Sequence, residues 1–326
     1  MKPNLFKFAT SELSQDAFIL WLLEWANPKY AAEDKALHET AQEFVRLLLN
    51  NKDLEINSVK CKKQEHHIDV FAIVNEEYAL IIEDKTNTSE HGNQLKRYSE
   101  WVKGKEQYSE LDLYCIYYKT GNESYAKLKR LEENYTKEYP EENFSIITRE
   151  DVLSVLKQST TTNAIFCDYV EHLQKIQDLT DSYLSSPIKK WSWEAWQGFY
   201  MALEKELHTG DWGYVANPSG GFLGFWWHWN SIASNTDVDI YLQLEEKKLC
   251  VKSYQKGGVE KGYIYSSQLV ELAQEKNISL VKPDRLRKGT TMTLAVHILP
   301  DTANFSDIVQ LLREIDNFLD EAIQYL

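Results

Sequence analysis

Ile68-Asp69-Val70-Phe71-Ala72-Ile73-Val74-Asn75-Glu76-Glu77-Tyr78-Ala79-Leu80-Ile81-Ile82-Glu83-Asp84-Lys85 is the stretch whose reading decides the fold. Two apolar, β-branched runs flank a polar triplet, and each run carries an acid at its far end, which predicts a β-hairpin. With Asn75-Glu76-Glu77 as the turn, Val74 faces Tyr78, and counting outward brings Asp69 opposite Glu83. Directly opposed residues have Cβ atoms roughly 4.5–5.5 Å apart, so two like charges in these places repel. Alternation sets Lys85 on the Glu83 face and turns Asp84 to the other. A two-residue turn would pair Asp69 with Asp84 instead, so the turn length is itself an expectation. A shared hard cation gives the opposed acids a purpose. Mg²⁺ takes one or two carboxylates and fills its remaining positions with water and phosphate oxygens.

Upstream of the hairpin, Ser11-Glu12-Leu13-Ser14-Gln15-Asp16 opens a helix with a hydroxyl cap and acids in its first turn, and Asn27-Pro28 stops it. A second helix is expected over Leu37–Leu49. An alternating, basic strand over Glu55–Lys62 then leads through Gln64-Glu65-His66-His67 into the hairpin. Downstream, the polar segment Thr86–Gly92 precedes a helix containing Gln94, Leu95, Tyr98, Trp101 and Val102. A buried strand over Leu111–Lys119, a helix over Glu123–Lys137, a strand over Phe144–Thr148 and two helices across 149–177 complete this half. The order predicts an α/β fold, a mixed sheet layered by helices.

Asp181–Pro187 reads as a linker. It divides the chain into an expected domain over residues 1–180 and a Trp-rich domain over 188–326. The second domain has helices over Trp191–Leu207, Ser266–Glu275 and Asp307–Tyr325. Its strands are expected over Phe222–Trp229, Val238–Leu244, Leu249–Tyr254 and Thr290–Ile298. That pattern is α+β, with helices packed on an antiparallel sheet.

Composition bounds the function. The chain has 326 residues, 43% hydrophobic and 26% charged, which is globular and long enough for two cores. A formal net charge of −14 argues against coating nucleic acid non-specifically, a mode that relies on neutralising many phosphates. It leaves room for a local basic groove beside a metal-loaded acidic centre. Cys61, Cys115, Cys167 and Cys250 show no paired ligand spacing, so reduced thiols in a cytoplasmic protein are expected. The N-terminus lacks the apolar core of a signal peptide and no apolar run approaches membrane-spanning length, so no membrane contact is expected.

An Asp on one strand and Glu-x-Lys on the next suit metal-assisted hydrolysis. The carboxylates hold the cation, and the lysine orients or helps deprotonate the attacking water and offsets charge on the phosphorus. With the hairpin around them, these residues resemble the PD-(D/E)xK nuclease superfamily, and within it the bacterial branch with a short helical Glu motif. The resemblance covers roughly residues 8 to 120. Ser11–Leu23 looks like that branch's opening helix and makes Glu12 the helical acid. Ile68-Asp69-Val70 matches the metal-binding Asp, Glu83-Asp84-Lys85 the Glu-x-Lys core, and Gln94-Leu95-Lys96-Arg97-Tyr98 the Gln-x-x-x-Tyr helix. The sequence departs from the pattern before Asp69, where Ile68 stands in place of Pro.

The resemblance implies a restriction-endonuclease-like fold and a phosphodiesterase acting on DNA with Mg²⁺ or Mn²⁺. Metal would bind at Asp69, Glu83 and Glu12, Lys85 would serve the water, and Gln94 and Tyr98 would shape the site. Endonuclease and exonuclease action both remain open, and a homo-oligomer is compatible with it. The superfamily also holds inactive members, so the alternative is a nuclease-fold module that binds nucleic acid or a protein partner without turnover.

Plainer readings stand beside these. Glu12 could be an ordinary helix N-terminal acid, with Glu39 a rival for the third carboxylate, and Gln94 and Tyr98 ordinary helix residues. His66-His67 invites zinc, since alternation gives Glu65, His67 and Asp69 one face, but the spacing partners are missing and a solvent-facing pair is expected. Lys282 with Arg285-Leu286-Arg287-Lys288 is a basic cluster that reads first as a solvated loop. The run Gly220–Trp229 could stack bases, although alternating Trp reads first as core.

Overall fold

In a computed structural model of the chain, the hairpin forms with the three-residue turn. The strands β2 (Val70–Val74) and β3 (Tyr78–Lys85) pair antiparallel, with Val74 opposite Tyr78 and Val70 opposite Ile82. The structure describes residues 2–63, 65–86, 88, 93–217 and 220–326, so Gln64 and most of the expected polar segment Thr86–Gly92 lie outside the described residues.

Backbone chemistry selects this turn. Asn75 and Glu76 both have positive φ, 55° and 61°, and the Glu77 N–H bonds the Val74 carbonyl at 3.0 Å. Those are features of a type I′ turn, whose twist matches that of the flanking strands. Asn adopts the left-handed region more readily than most residues, and the Asn75 side chain fastens it there. Its Oδ1 accepts from the N–H groups of Asn57 (2.8 Å) and Ser58 (3.2 Å), and its Nδ2 donates to the Glu55 carbonyl at 2.7 Å. This explains why β1 (Val59–Lys63) starts four residues later than the alternating pattern predicts. Backbone groups of residues 55–58 bond the turn instead of a ladder.

One sheet runs in the order β1-β2-β3-β4-β5. The strands β4 (Asp112–Lys119) and β5 (Asn143–Thr148) lie parallel to β3, reached through α3 (Gln94–Lys103) and α4 (Tyr125–Glu138). The other helices of this half are α1 (Glu12–Trp25), α2 (Lys35–Leu48), α5 (Arg149–Leu156) and α6 (Ala164–Asp181). Val70, Ala72, Leu80, Ile82, Ile116 and Tyr118 pack with residues of α1, α2, α5 and α6, including Phe18, Phe44, Val152 and Tyr169. Phe71, Ile81, Cys115 and Tyr117 form a second core with Leu95, Tyr98 and Val102 of α3. β3 is therefore covered on both faces, which is why it reads as an unbroken apolar run. The expected α/β fold, a mixed sheet flanked by helices, is present.

The chain separates into two compact units, Met1–Glu123 with Leu128–Asp178, and Ser124–Lys127 with Leu179–Leu326. Asp181, expected to open the linker, still belongs to α6, and a short 3₁₀ turn over Ser182–Leu184 follows.

In the second unit the sheet order is β10-β9-β8-β7-β6, antiparallel throughout. It consists of β6 (Asp211–Val215), β7 (Phe222–Ile232), β8 (Asn235–Glu245), β9 (Lys248–Tyr254) and β10 (Thr291–Ile298). Its core joins Phe225, Trp227, Leu242 and Leu244 to Phe199 of α7 (Trp193–Leu207), Leu269 of α8 (Gly262–Glu275) and Leu312 of α9 (Phe305–Ala322). This is the expected antiparallel α+β arrangement. β6 went unread in the sequence: it has five residues, contains Gly213, and sends only Trp212 into the core. Of the Trp run, Trp227 is core, while Trp229 is 51% exposed and stacks on Tyr241 with centroids 4.0 Å apart. The loop carrying Arg285, Arg287 and Lys288 is exposed. All four cysteines are free thiols, and among the described residues no helix is long and apolar enough to cross a membrane.

Candidate active site

The hairpin register, continued one step past the Val70–Ile82 pair, sets Asp69 across from Glu83, close enough for the charge of Asp69 to act on the Glu83 carboxyl. Asp69 Oδ2 also accepts the Asp84 N–H at 3.1 Å, which ties it to β3. Glu83 is fully buried. Its Oε1 takes a hydrogen bond from Lys85 Nζ, and its Oε2 has no partner.

The electrostatics follow from that crowding. Burial, and then the charge of Asp69, push the Glu83 carboxyl up to about 8. Burial is also the main reason that Asp69 is raised. At neutral pH the facing pair therefore retains a proton. Burial disfavours the Lys85 ammonium, but Glu83, Asp69 and Glu12 together outweigh it and the net shift is upward. In this setting Lys85 is a cation rather than a base, and its Nζ also reaches the Asp84 carbonyl at 3.2 Å.

The neighbouring elements close on the same face. In the parallel register of β3 and β4, Tyr117 lies beside Glu83 and Lys119 beside Lys85. From α3, Gln94 Nε2 donates to Tyr98 Oη at 3.4 Å, as side chains four apart on one helix face can. Tyr98 is 5% exposed. Its hydroxyl is raised mainly by burial, with the charges of Glu83 and Asp69 adding to it.

Glu12, the first residue of α1, comes to the segment that leaves β3. Its Oε1 accepts the Thr86 N–H at 3.1 Å and the Thr88 hydroxyl at 2.7 Å. Its charge is felt at Asp69 and Lys85. Among the described residues, however, no three His, Cys, Asp or Glu side chains converge on one cation position. Glu39 faces solvent on α2 and pairs with Lys35 at 3.6 Å.

A family model described as the PD-(D/E)XK nuclease superfamily matches residues 3–185, more than half of the chain and every residue of this site. The chain belongs to that superfamily. Compared with curated proteins and with solved structures, it has no match.

For a PD-(D/E)XK chain, the Asp69–Glu83 pair fits a hard divalent cation on the evidence of its own atoms. The donors are carboxylate oxygens, one of them buried without a partner, and the pair holds a proton where a cation could stand. Two carboxylates without a third would leave the other positions of such a cation to water and substrate oxygens.

The strand alternation assumed for Glu65, His67 and Asp69 does not hold. Glu65–His67 is a 3₁₀ turn in which His66 and His67 have φ of 51° and 66°. Both imidazoles are exposed, and the His66 ring stacks on Trp101 at 4.7 Å and 5°.

Three side chains went unread. Asp84 is fully buried on the α1 face, where Gln15 Nε2 donates to its Oδ1 at 2.5 Å and the charge of Asp16 acts on it. Burial above all holds Asp84 well above the usual carboxylate range and takes Asp16 up to about 7. Gln15 and Asp16, two polar residues on the inward side of a helix, were the available signal. The third, Lys119, is the charged end of β4, whose residues 113–118 carry no charge.

Proposed function

We propose that this chain is a divalent-metal-dependent nuclease that hydrolyses phosphodiester bonds in DNA, working in the cytoplasm, where a reducing environment suits its four free thiols. The observation that carries this reading is the half-buried Asp69 facing the buried Glu83, with an unpartnered Glu83 Oε2 and the Lys85 ammonium on the same face.

Asp69 and Glu83 would hold Mg²⁺ or Mn²⁺, which when bound polarises a phosphate oxygen and makes a water acidic enough to attack. The residues of this chain prepare that chemistry. Asp69 is fixed to β3 through the Asp84 N–H, so the gap between the two carboxyls is set before anything binds. Lys85, held cationic by its neighbours, orients the attacking water and offsets charge that builds on the phosphate oxygens. Gln94 and Tyr98 present one helix face to the same space. Glu12 supplies the third acid from the strand exit, acting on the first two through water. Residues 1–180 form the nuclease domain in this reading, and 188–326 select substrate or partner.

The test is cleavage of linear duplex, supercoiled circular and single-stranded DNA, with an RNA control, in Mg²⁺ or Mn²⁺ and in chelator. DNA should be cut only with metal, and Lys85→Ala, with an unchanged circular dichroism spectrum and melting curve, should lose about a hundred- to a thousandfold in rate, the order set by removing a preorganised charge. Undiminished cutting by Lys85→Ala would remove the assignment. A wild type that neither cuts nor binds metal would leave a binding module without turnover.

A further inference from the structure

Lys119 is the last residue of β4 and lies beside Lys85 in the parallel register, so both side chains leave the sheet on one face. It is 2% exposed. An ammonium taken out of water is costly unless its hydrogen bonds are met. A leucine or methionine would fill the same space without that cost. The contacts of Lys119 indicate what the charge does. Its Nζ donates to the Thr88 carbonyl at 2.5 Å and stands 3.6 Å from Glu123 Oε2, so the shorter contact goes to the segment leaving β3 rather than to the carboxylate. Thr88 in turn donates its hydroxyl to Glu12 Oε1 at 2.7 Å, and Thr86 donates its N–H to the same oxygen at 3.1 Å. The N–H of Thr120, the residue after β4, bonds the Lys85 carbonyl at 3.3 Å, so the end of β4 grips the exit of β3 at two points.

We infer that Lys119 is a positioning residue of the nuclease site: it pins Thr88, and through the Thr88 hydroxyl it holds Glu12 at the edge of the Asp69–Glu83 pair, so that it sets the affinity of the site for its divalent cation. The inference rests on the metal-dependent reading above. Lys119 is too enclosed to touch a substrate and its ammonium is committed to a carbonyl, so it acts through Glu12. Groups that orient ligands from behind in this way change metal affinity about 10–100-fold when removed.

The test is a double-mutant cycle read by Mn²⁺ binding, by calorimetry or by electron paramagnetic resonance of free Mn²⁺, alongside the Mn²⁺ concentration giving half-maximal cleavage. Lys119→Met should weaken Mn²⁺ binding about tenfold while the rate at saturating Mn²⁺ falls less. Thr88→Val, which keeps the shape and removes the hydroxyl link, should shift binding in the same direction. It carries the test should Lys119→Met fail to fold. In a Glu12→Gln background, Lys119→Met should add less than about a twofold change, because the residue through which it acts is already altered. A full tenfold loss in that background, or unchanged Mn²⁺ affinity in both single variants, overturns the inference. A wild type that binds no Mn²⁺ overturns this inference and the nuclease reading together. One that binds and cuts with an affinity indifferent to Lys119 and Thr88 overturns this inference alone.

Discussion

Adding Mn²⁺ to the metal-free protein is the perturbation whose outcome the Asp69–Glu83 geometry fixes most closely. The Glu83 carboxyl, pushed up to about 8 by burial and by the facing Asp69, is roughly nine-tenths protonated at pH 7 and roughly one-tenth at pH 9. A cation seated between the two carboxylates must displace that proton. Binding should therefore release about 0.9 H⁺ per Mn²⁺ at pH 7 and about 0.1 at pH 9. Below pH 8 the apparent affinity should fall about tenfold, or about 1.4 kcal/mol, for each unit of acidification. Calorimetric titration in buffers of different ionisation enthalpy measures the released protons directly, as the slope of apparent binding enthalpy against buffer enthalpy. Glu83→Gln is the control, and whatever binding it retains should release almost none. A slope near zero for the wild type at pH 7 would refute the reasoning, since both acids would then be ionised before the metal arrives. An equal slope at pH 9 would place the displaced proton on a group other than Glu83.

Two further predictions concern the fold that sets the pair. Glu83 is raised from 4.5 in the free side chain to about 8, so the folded state holds a proton that the unfolded chain has released, and metal-free stability falls as pH rises between those values. Glu83→Gln should leave stability unchanged near pH 4.5 and raise it by up to about 3 kcal/mol at pH 7, less whatever Lys85 loses, as chemical denaturation with chelator will read. Asn75→Ala, which loses three side-chain hydrogen bonds at a φ of 55°, should lower stability by about 2 kcal/mol and weaken Mn²⁺ binding by disturbing the register. A binding constant unchanged despite that destabilisation would show that the turn does not set the Asp69–Glu83 gap.

The parts of this architecture that could be read from the chain are those with a short repeat. A period of two, a polar triplet and an acid at each end sufficed for the hairpin, because slipping one residue would have turned every apolar side chain of β2 and β3 to the wrong face. The four-residue spacing of Gln94 and Tyr98 likewise survives in the hydrogen bond between them. What escaped notice depends on contacts between residues far apart in sequence. β1 starts late because the Asn75 side chain, some 20 positions on, takes backbone groups of residues 55–58. His66 and His67 leave the strand pattern through two left-handed residues that no local propensity announces. Asp84 was read as the variable residue of Glu-x-Lys, turned to the face away from Glu83, with no partner there foreseen. Its burial against Gln15 and Asp16 needs α1 laid across the sheet. Lys119 took on meaning only once β4 lay parallel to β3 with Lys85 beside it.

The central claim is that Asp69 and Glu83 share one catalytic cation with Lys85 alongside. A crystal grown with Mn²⁺ and recorded on both sides of the manganese absorption edge tests it most directly. The account predicts one strong anomalous peak bridging the Asp69 and Glu83 carboxylates, at about 2.0–2.3 Å from an oxygen of each, with Glu83 Oε2 among its ligands. The same crystals showing no peak there, with Glu83 Oε2 still unpartnered and Lys85 unmoved, would contradict it.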